Sequence, residues 1–255
     1  MRLVTGFRLQ SSWPQPLQLR LNTAMILASA GIALAVVSML LDKLAGTALI
    51  APSALILFGG IAVVLWTAIA RHHPYPVFGA PNAITLARTV IVCAMAGVLA
   101  AGLVGQWAWA MVVVASVALI LDGFDGWAAR RSGIQSRFGA RFDMEIDALC
   151  LLVLSAMVAD LGKVGGFVLL IGLARYLFIA TGWLWPALAR PLPADRRRKT
   201  ICVVQGVVLT VCLAPIIPPL LAIPAAIVAL ALLLYSFAVD TIWLIDKRHA
   251  EEVSP

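Results

Sequence analysis

DGFDGWAARRSGIQSRFGARFDMEID, residues 122–147, is the stretch that decides how this chain folds. It carries four aspartates, Asp122, Asp125, Asp143 and Asp147, in a sequence that is 62% hydrophobic and only 12% charged. On a helix, Asp122 and Asp125 lie three residues apart and Asp143 and Asp147 four apart, so each pair projects from one helical face. Two such faces brought together make a carboxylate cage. Anions held that close, partly out of water, repel one another and take up protons unless cations neutralise them. Hard oxygen ligands with no His or Cys in the cluster point to Mg²⁺ or Mn²⁺ rather than zinc. The plainer reading makes the aspartates solvated caps, or ion-pair partners of Arg130, Arg131, Arg137 and Arg141. Glu145 sits two residues from both Asp143 and Asp147, projects to the opposite face and is left out of the cluster.

Outward from this stretch the sequence is apolar. A chain of 255 residues with a mean hydropathy of +1.00 has runs long enough to cross a bilayer, so the expected class is an all-α integral membrane protein. Apolar runs at 23–41 and 49–70, joined by a turn with Asp42 and Lys43, predict an added hairpin. The Pro- and Gly-rich break at 71–81 rules out a continuous helix and separates hairpin from core. His72 and His73 beside Tyr75 suit a membrane interface. Core helices are predicted at 84–104, 107–124, 143–160, 164–185, 200–218 and 220–245, with Gly133, Gly139, Ser132 and Ser136 marking the turn between the two that carry the aspartates. The expected organisation is a basic tail at 1–22, a transmembrane hairpin at 23–72, a six-helix transmembrane core at 80–247 and a tail at 248–255, about eight transmembrane helices in all.

The first 22 residues are polar and mixed, so no cleavable signal is expected and the first apolar run reads as a retained span. With the amino terminus in the cytoplasm, sixteen of nineteen Lys and Arg fall on that side; Lys43 and Lys163 fall outside, and Arg175 lies within a span. That bias predicts both termini and the aspartates at the cytoplasmic face. The net charge of +7 follows from this topology and favours anionic head groups; without a continuous basic face it does not point to nucleic acid. Cys93, Cys150, Cys202 and Cys212 fall in apolar segments without metal-type spacing and read as small buried hydrophobes.

Written with its gaps, the opening stretch is D-x2-D-G-x2-A-R-x8-G-x3-D-x3-D, filled by Asp122, Asp125, Gly126, Ala129, Arg130, Gly139, Asp143 and Asp147. It resembles the signature of the CDP-alcohol phosphotransferase family at all eight fixed positions. The resemblance implies a bacterial inner-membrane enzyme of phospholipid synthesis, often homodimeric, that uses two divalent ions. Asp122, Asp125 and Asp143 match the positions that bind the metals, and Asp147 the base that takes the proton from the attacking hydroxyl, a second metal contact, or both. Asp122, Gly126, Ala129, Arg130 and Gly139 would line the cytidine nucleotide; Arg130 offers a fork to a phosphate or to a carboxylate. PNAITLAR, residues 81–88, resembles the start of the family's first core helix, where Pro81, Asn82, Thr85 and Arg88 would approach the nucleotide; a cap and a snorkelling Arg88 explain the same residues.

Arg175, a charge in an apolar run, and Lys199, from the basic run at 196–199, are the candidates for binding the acceptor. The expected reaction moves a phosphatidyl group from CDP-diacylglycerol to a small polar alcohol and releases CMP. Glycerol 3-phosphate is the leading acceptor and inositol phosphate the next. A polytopic cation transporter or channel is the alternative; it would place its acids on broken helices at mid-membrane, with internal repeats, and the two halves show none.

Overall fold

The computed structural model describes residues 17–73, 75, 77–132, 136–185 and 195–253, the side chains of 17, 70–72, 125–132, 183, 184, 196 and 245–253 excepted. The described residues form eight α-helices and no strand. They are α1 (Leu17–Ala45), α2 (Ile50–His72), α3 (Ala80–Ala100), α4 (Ala108–Ser132), α5 (Arg137–Asp160), α6 (Leu169–Leu184), α7 (Arg196–Leu213) and α8 (Pro219–Val253), with a short 3-10 turn, Gly166–Val168, before α6.

The protein is an integral membrane protein turned outside-in relative to a water-soluble one. Leu, Ile and Val side chains stand exposed along α1, α2, α4 and α8, whereas Asn82, Thr85, Arg88, Gln205 and Asp240 are buried. Lipid accepts the first set, and the second must find partners inside the bundle. Among the described residues, four helical segments are long and apolar enough to cross a membrane unaided: Gln18–Ala45, Ile50–Ile69, Ala80–Ala100 and Pro219–Leu244. The apolar parts of α4 and α6 are shorter, Ala108–Phe124 and Gly166–Gly182. Charged residues at the beginnings of α5 and α7 keep those two helices out of the apolar class.

Helix boundaries depart from the sequence expectation where polar residues continue an apolar run. The second core helix reaches Ser132 instead of ending near 124, and the third starts at Arg137 instead of 143. Gly139 therefore lies within the first turn of α5 and not in the connection. Ser136 caps that turn: the backbone N–H of Gly139 donates to Ser136 Oγ at 2.9 Å. Hydropathy failed here because a helix that leaves lipid needs no apolar residues to continue.

The hairpin is fixed by a carboxylate at the end of α1, a helix that runs past the expected turn residues Asp42 and Lys43 to Ala45. Asp42 is buried and accepts the N–H groups of Ile50 and Ala51 at 2.9 and 3.0 Å, meeting two of the free donors at the start of α2. The hairpin then leans on α3 through a seam with no room for a side chain. A Cβ on Gly97 would stand 2.6 Å from the Ile50 carbonyl oxygen and 3.2 Å from Ala54 Cβ. Small residues at such crossings let helix backbones approach closely in lipid.

The break before α3 is compact. His73 is buried edge-on between Tyr75 and Phe138, with ring centroids 5.7 and 5.6 Å away, and its Nε2 lies 2.8 Å from the Val77 carbonyl oxygen. The His73 imidazole thus packs the end of α2 against the start of α5. α3 packs against α4 and α5, and α5 against α6 and α7. The first half of α3, the second half of α4 and the first half of α5 meet at one end of the bundle.

Candidate active site

Asp122 comes from α4, Asp143 and Asp147 from one face of α5, one turn apart. One oxygen from each of the three carboxylates lies within 4.8 Å of the others. The side chains of Asp125, Gly126, Ala129 and Arg130 lie outside the described residues, although their backbone continues α4.

A cation already stands among the three acids. Arg88, on α3, is 1% exposed, and its Nη1 lies 2.9 Å from Asp122 Oδ1 and 2.8 Å from Asp143 Oδ1. Its Nη2 donates to Asp147 Oδ1 at 2.5 Å. One planar fork thus links three helices, which a lysine's single ammonium does not match. The plainer reading of the aspartates as ion-pair partners is therefore met for three of them, with an arginine from another helix and not one near them in the chain. Arg88 itself is turned inward, so the alternative reading of it as a snorkelling arginine fails. An arginine on the polar side of an otherwise apolar helix was the available signal; its partners, 34 to 59 residues downstream, were not.

With all three carboxylates ionised the four side chains carry a net charge of minus two, and the cluster is most open at Asp143, whose side chain is 34% exposed. An anionic oxygen cluster that retains excess negative charge beside a single guanidinium is the donor set hard divalent cations prefer. Asp122, Asp143 and Asp147 therefore fit the metal ligands that the sequence suggested.

Next to the cage, Asn82 and Thr85 are buried. Asn82 Nδ2 donates to the Phe78 carbonyl, and Thr85 Oγ1 to the Pro81 carbonyl at 3.1 Å. Gly139 presses against this turn: a Cβ there would lie 2.6 Å from Asn82 Oδ1 and 3.2 Å from Ser136 Oγ. Gly139→Ala should force Asn82 off the Phe78 carbonyl and lower stability by about 1–2 kcal/mol. The check is the melting temperature in detergent, with Asn82→Ser restoring part of the loss in the double variant.

The two residues expected to bind the acceptor are not in the cage. Arg175 Nη2 donates to Glu145 Oε1 at 2.5 Å, so Arg175 is a paired charge and Glu145, set aside in the sequence, is its partner. Lys199 is exposed on the first turn of α7. Its neighbours are engaged: Arg197 and Arg198 reach buried Asp240 on α8 at 2.5 and 3.4 Å. Asp195 caps α7, and the Arg197 N–H and guanidinium donating to it hold its carboxyl below the usual range.

A family model described as CDP-alcohol phosphatidyltransferase matches residues 78–239, well over half of the chain. The chain belongs to the CDP-alcohol phosphatidyltransferase family. No curated protein and no solved structure matches it. As a CDP-alcohol phosphatidyltransferase it is a membrane transferase of phospholipid synthesis, acting on a CDP-activated substrate. The match takes in the cage and the whole 122–147 stretch, begins between α2 and α3 and leaves the hairpin outside. It gives the cation transporter or channel reading no support.

Proposed function

We propose that this CDP-alcohol phosphatidyltransferase moves the phosphatidyl group of CDP-diacylglycerol to the hydroxyl of a small phosphorylated alcohol, with release of CMP. Glycerol 3-phosphate is the leading acceptor and inositol phosphate the next. The observation that carries the reading is the convergence of Asp122, Asp143 and Asp147 on one point, in a chain of this family.

Asp122, Asp125 and Asp143, with or without Asp147, would hold two Mg²⁺ or Mn²⁺ ions. Bound there, the ions would neutralise the diphosphate and the charge that develops on the departing CMP. Asp147 stands one turn further along α5 than Asp143 and is the residue to accept the proton of the attacking hydroxyl. The hydroxyl oxygen bonds to the phosphatidyl phosphorus as the bond from that phosphorus to the bridging oxygen breaks, and CMP leaves with the electron pair. Asn82, Thr85, Asp122, Gly126, Ala129, Arg130 and Gly139 would form the nucleotide side, Gly126 and Ala129 being small enough by residue type to admit the base and ribose and Gly139 admitting the close approach of Asn82. Arg175 and Lys199 are the cations for the acceptor's phosphate; Arg175 would exchange Glu145 for it.

All eight helices belong to the membrane-embedded body in this reading: a hairpin, residues 23–72, before the six-helix core, residues 80–247. The excess of Lys and Arg supports a cytoplasmic location for the cage and both termini, and the family resemblance a bacterial inner membrane. Lipid tails reach the cage sideways from the bilayer and the acceptor arrives from water. The family resemblance supports a homodimer as the working form.

Purified protein given CDP-diacylglycerol and Mn²⁺ is expected to release CMP only when a suitable alcohol is added. A panel of glycerol 3-phosphate, inositol phosphate, glycerol, inositol and serine identifies the acceptor. CMP release with none of a wider panel of alcohols would sink the assignment.

A further inference from the structure

The strongest feature that the proposed reaction does not use is Arg88. A buried arginine with three carboxylates is an unusual concentration of charge, and it engages one oxygen of each of the three side chains proposed to hold a divalent ion. Nη1 bridges Oδ1 of Asp122 and Oδ1 of Asp143, and Nη2 holds Oδ1 of Asp147. An octahedral Mg²⁺ ion, bonded at 2.0–2.1 Å, brings neighbouring ligand oxygens to about 3 Å from one another. A guanidinium group lying between the three Oδ1 atoms leaves no room for an ion that draws on those atoms, and it repels an ion held by the other carboxylate oxygens.

We propose that Arg88 is a built-in competitor of the divalent metal: it holds Asp122, Asp143 and Asp147 together in the metal-free protein and must give up at least part of this fork when the ion binds. The inference rests on the proposed metal site, but it makes a separate statement about this chain. Without Arg88, three like charges would face one another across three helices, and the cage would spread or take up protons. With it, the carboxylates are kept close to their working arrangement at the expense of metal affinity. α3, which carries Arg88, would respond directly to metal occupancy, and Asn82 and Thr85 stand on that same helix.

The direction of the effect separates competition from support. If Arg88 only supported the fold, its removal would scatter the ligands and weaken metal binding; if it competes, removal tightens binding. The experiment uses the full-length protein in detergent micelles, stripped with a chelator and titrated with Mn²⁺, with free ion followed by electron paramagnetic resonance. Arg88→Met is expected to lower the Mn²⁺ dissociation constant by about tenfold or more relative to wild type. Its melting temperature in chelator should fall, and Mn²⁺ should raise that temperature by more than it does for wild type.

Arg88→Lys serves as the second variant should Arg88→Met not fold. It keeps one positive charge without the fork, and its Mn²⁺ affinity should lie above that of wild type. Unchanged or weaker Mn²⁺ binding in both variants, while Asp122→Asn abolishes it, would overturn the competition and leave the metal site standing. Wild type and variants all failing to bind Mn²⁺ would remove the metal site itself, and the competition with it.

Discussion

Asp143→Asn is expected to lower CMP release by about a thousandfold or more while leaving the protein folded. The amide has the shape of the carboxylate but no charge, and Asp143 is the most open of the three acids around Arg88. Where divalent ions are the source of charge stabilisation, that stabilisation is worth several kcal/mol, and about 4 kcal/mol corresponds to about a thousandfold in rate. Stability should change little, because Arg88 keeps Asp122 and Asp147. A melting curve beside the CMP assay separates lost chemistry from lost folding. CMP release from Asp143→Asn as fast as from wild type would show that the cage does not hold the ions.

The second large effect is structural and lies one helix away. Gly172, on α6, faces α5 with no free space: a Cβ there would stand 2.3 Å from Ser155 Oγ, 2.5 Å from Leu152 Cα and 3.0 Å from the Leu151 carbonyl oxygen. Two of those three atoms are backbone, so no side-chain rotation makes room. Gly172→Val should destabilise the bundle by about 3 kcal/mol, the upper end of the usual range for overpacking. It should also part Arg175 from Glu145, since Arg175 follows Gly172 by one turn of α6. Thermal unfolding in detergent is the measurement, with Gly172→Ala intermediate. Equal melting temperatures for Gly172→Val and wild type would mean that α5 and α6 are not in backbone contact.

What the sequence made legible follows from the kind of signal each feature leaves. All eight helices could be located, because an apolar run is a local property and Pro and Gly punctuate it at 71–81. Their ends were misplaced at Ser132 and Arg137, since a helix emerging from lipid loses the apolar signal but not its backbone hydrogen bonds. Asp143 and Asp147 could be grouped from spacing alone, as could the face they share on α5, and the family signature joined Asp122 to them. Pairings between helices were hidden. Arg88 with the cage, Arg175 with Glu145 and Arg197 with Asp240 each join residues at least 30 positions apart, and nothing in one chain's composition encodes such a distance. Glu145 shows the limit well: its opposite-face projection was correctly read, and that projection is what delivers it to Arg175.

The Arg88 fork has a consequence for biogenesis. A nascent chain that has released α3 and α4 into the bilayer carries Arg88 and Asp122, one cation with one of its three anions. The remaining two arrive together, on a single turn of α5. Until that helix is seated, the growing polypeptide offers a divalent ion only the α4 carboxylates, so the cage is completed in one step, a little past the middle of the chain.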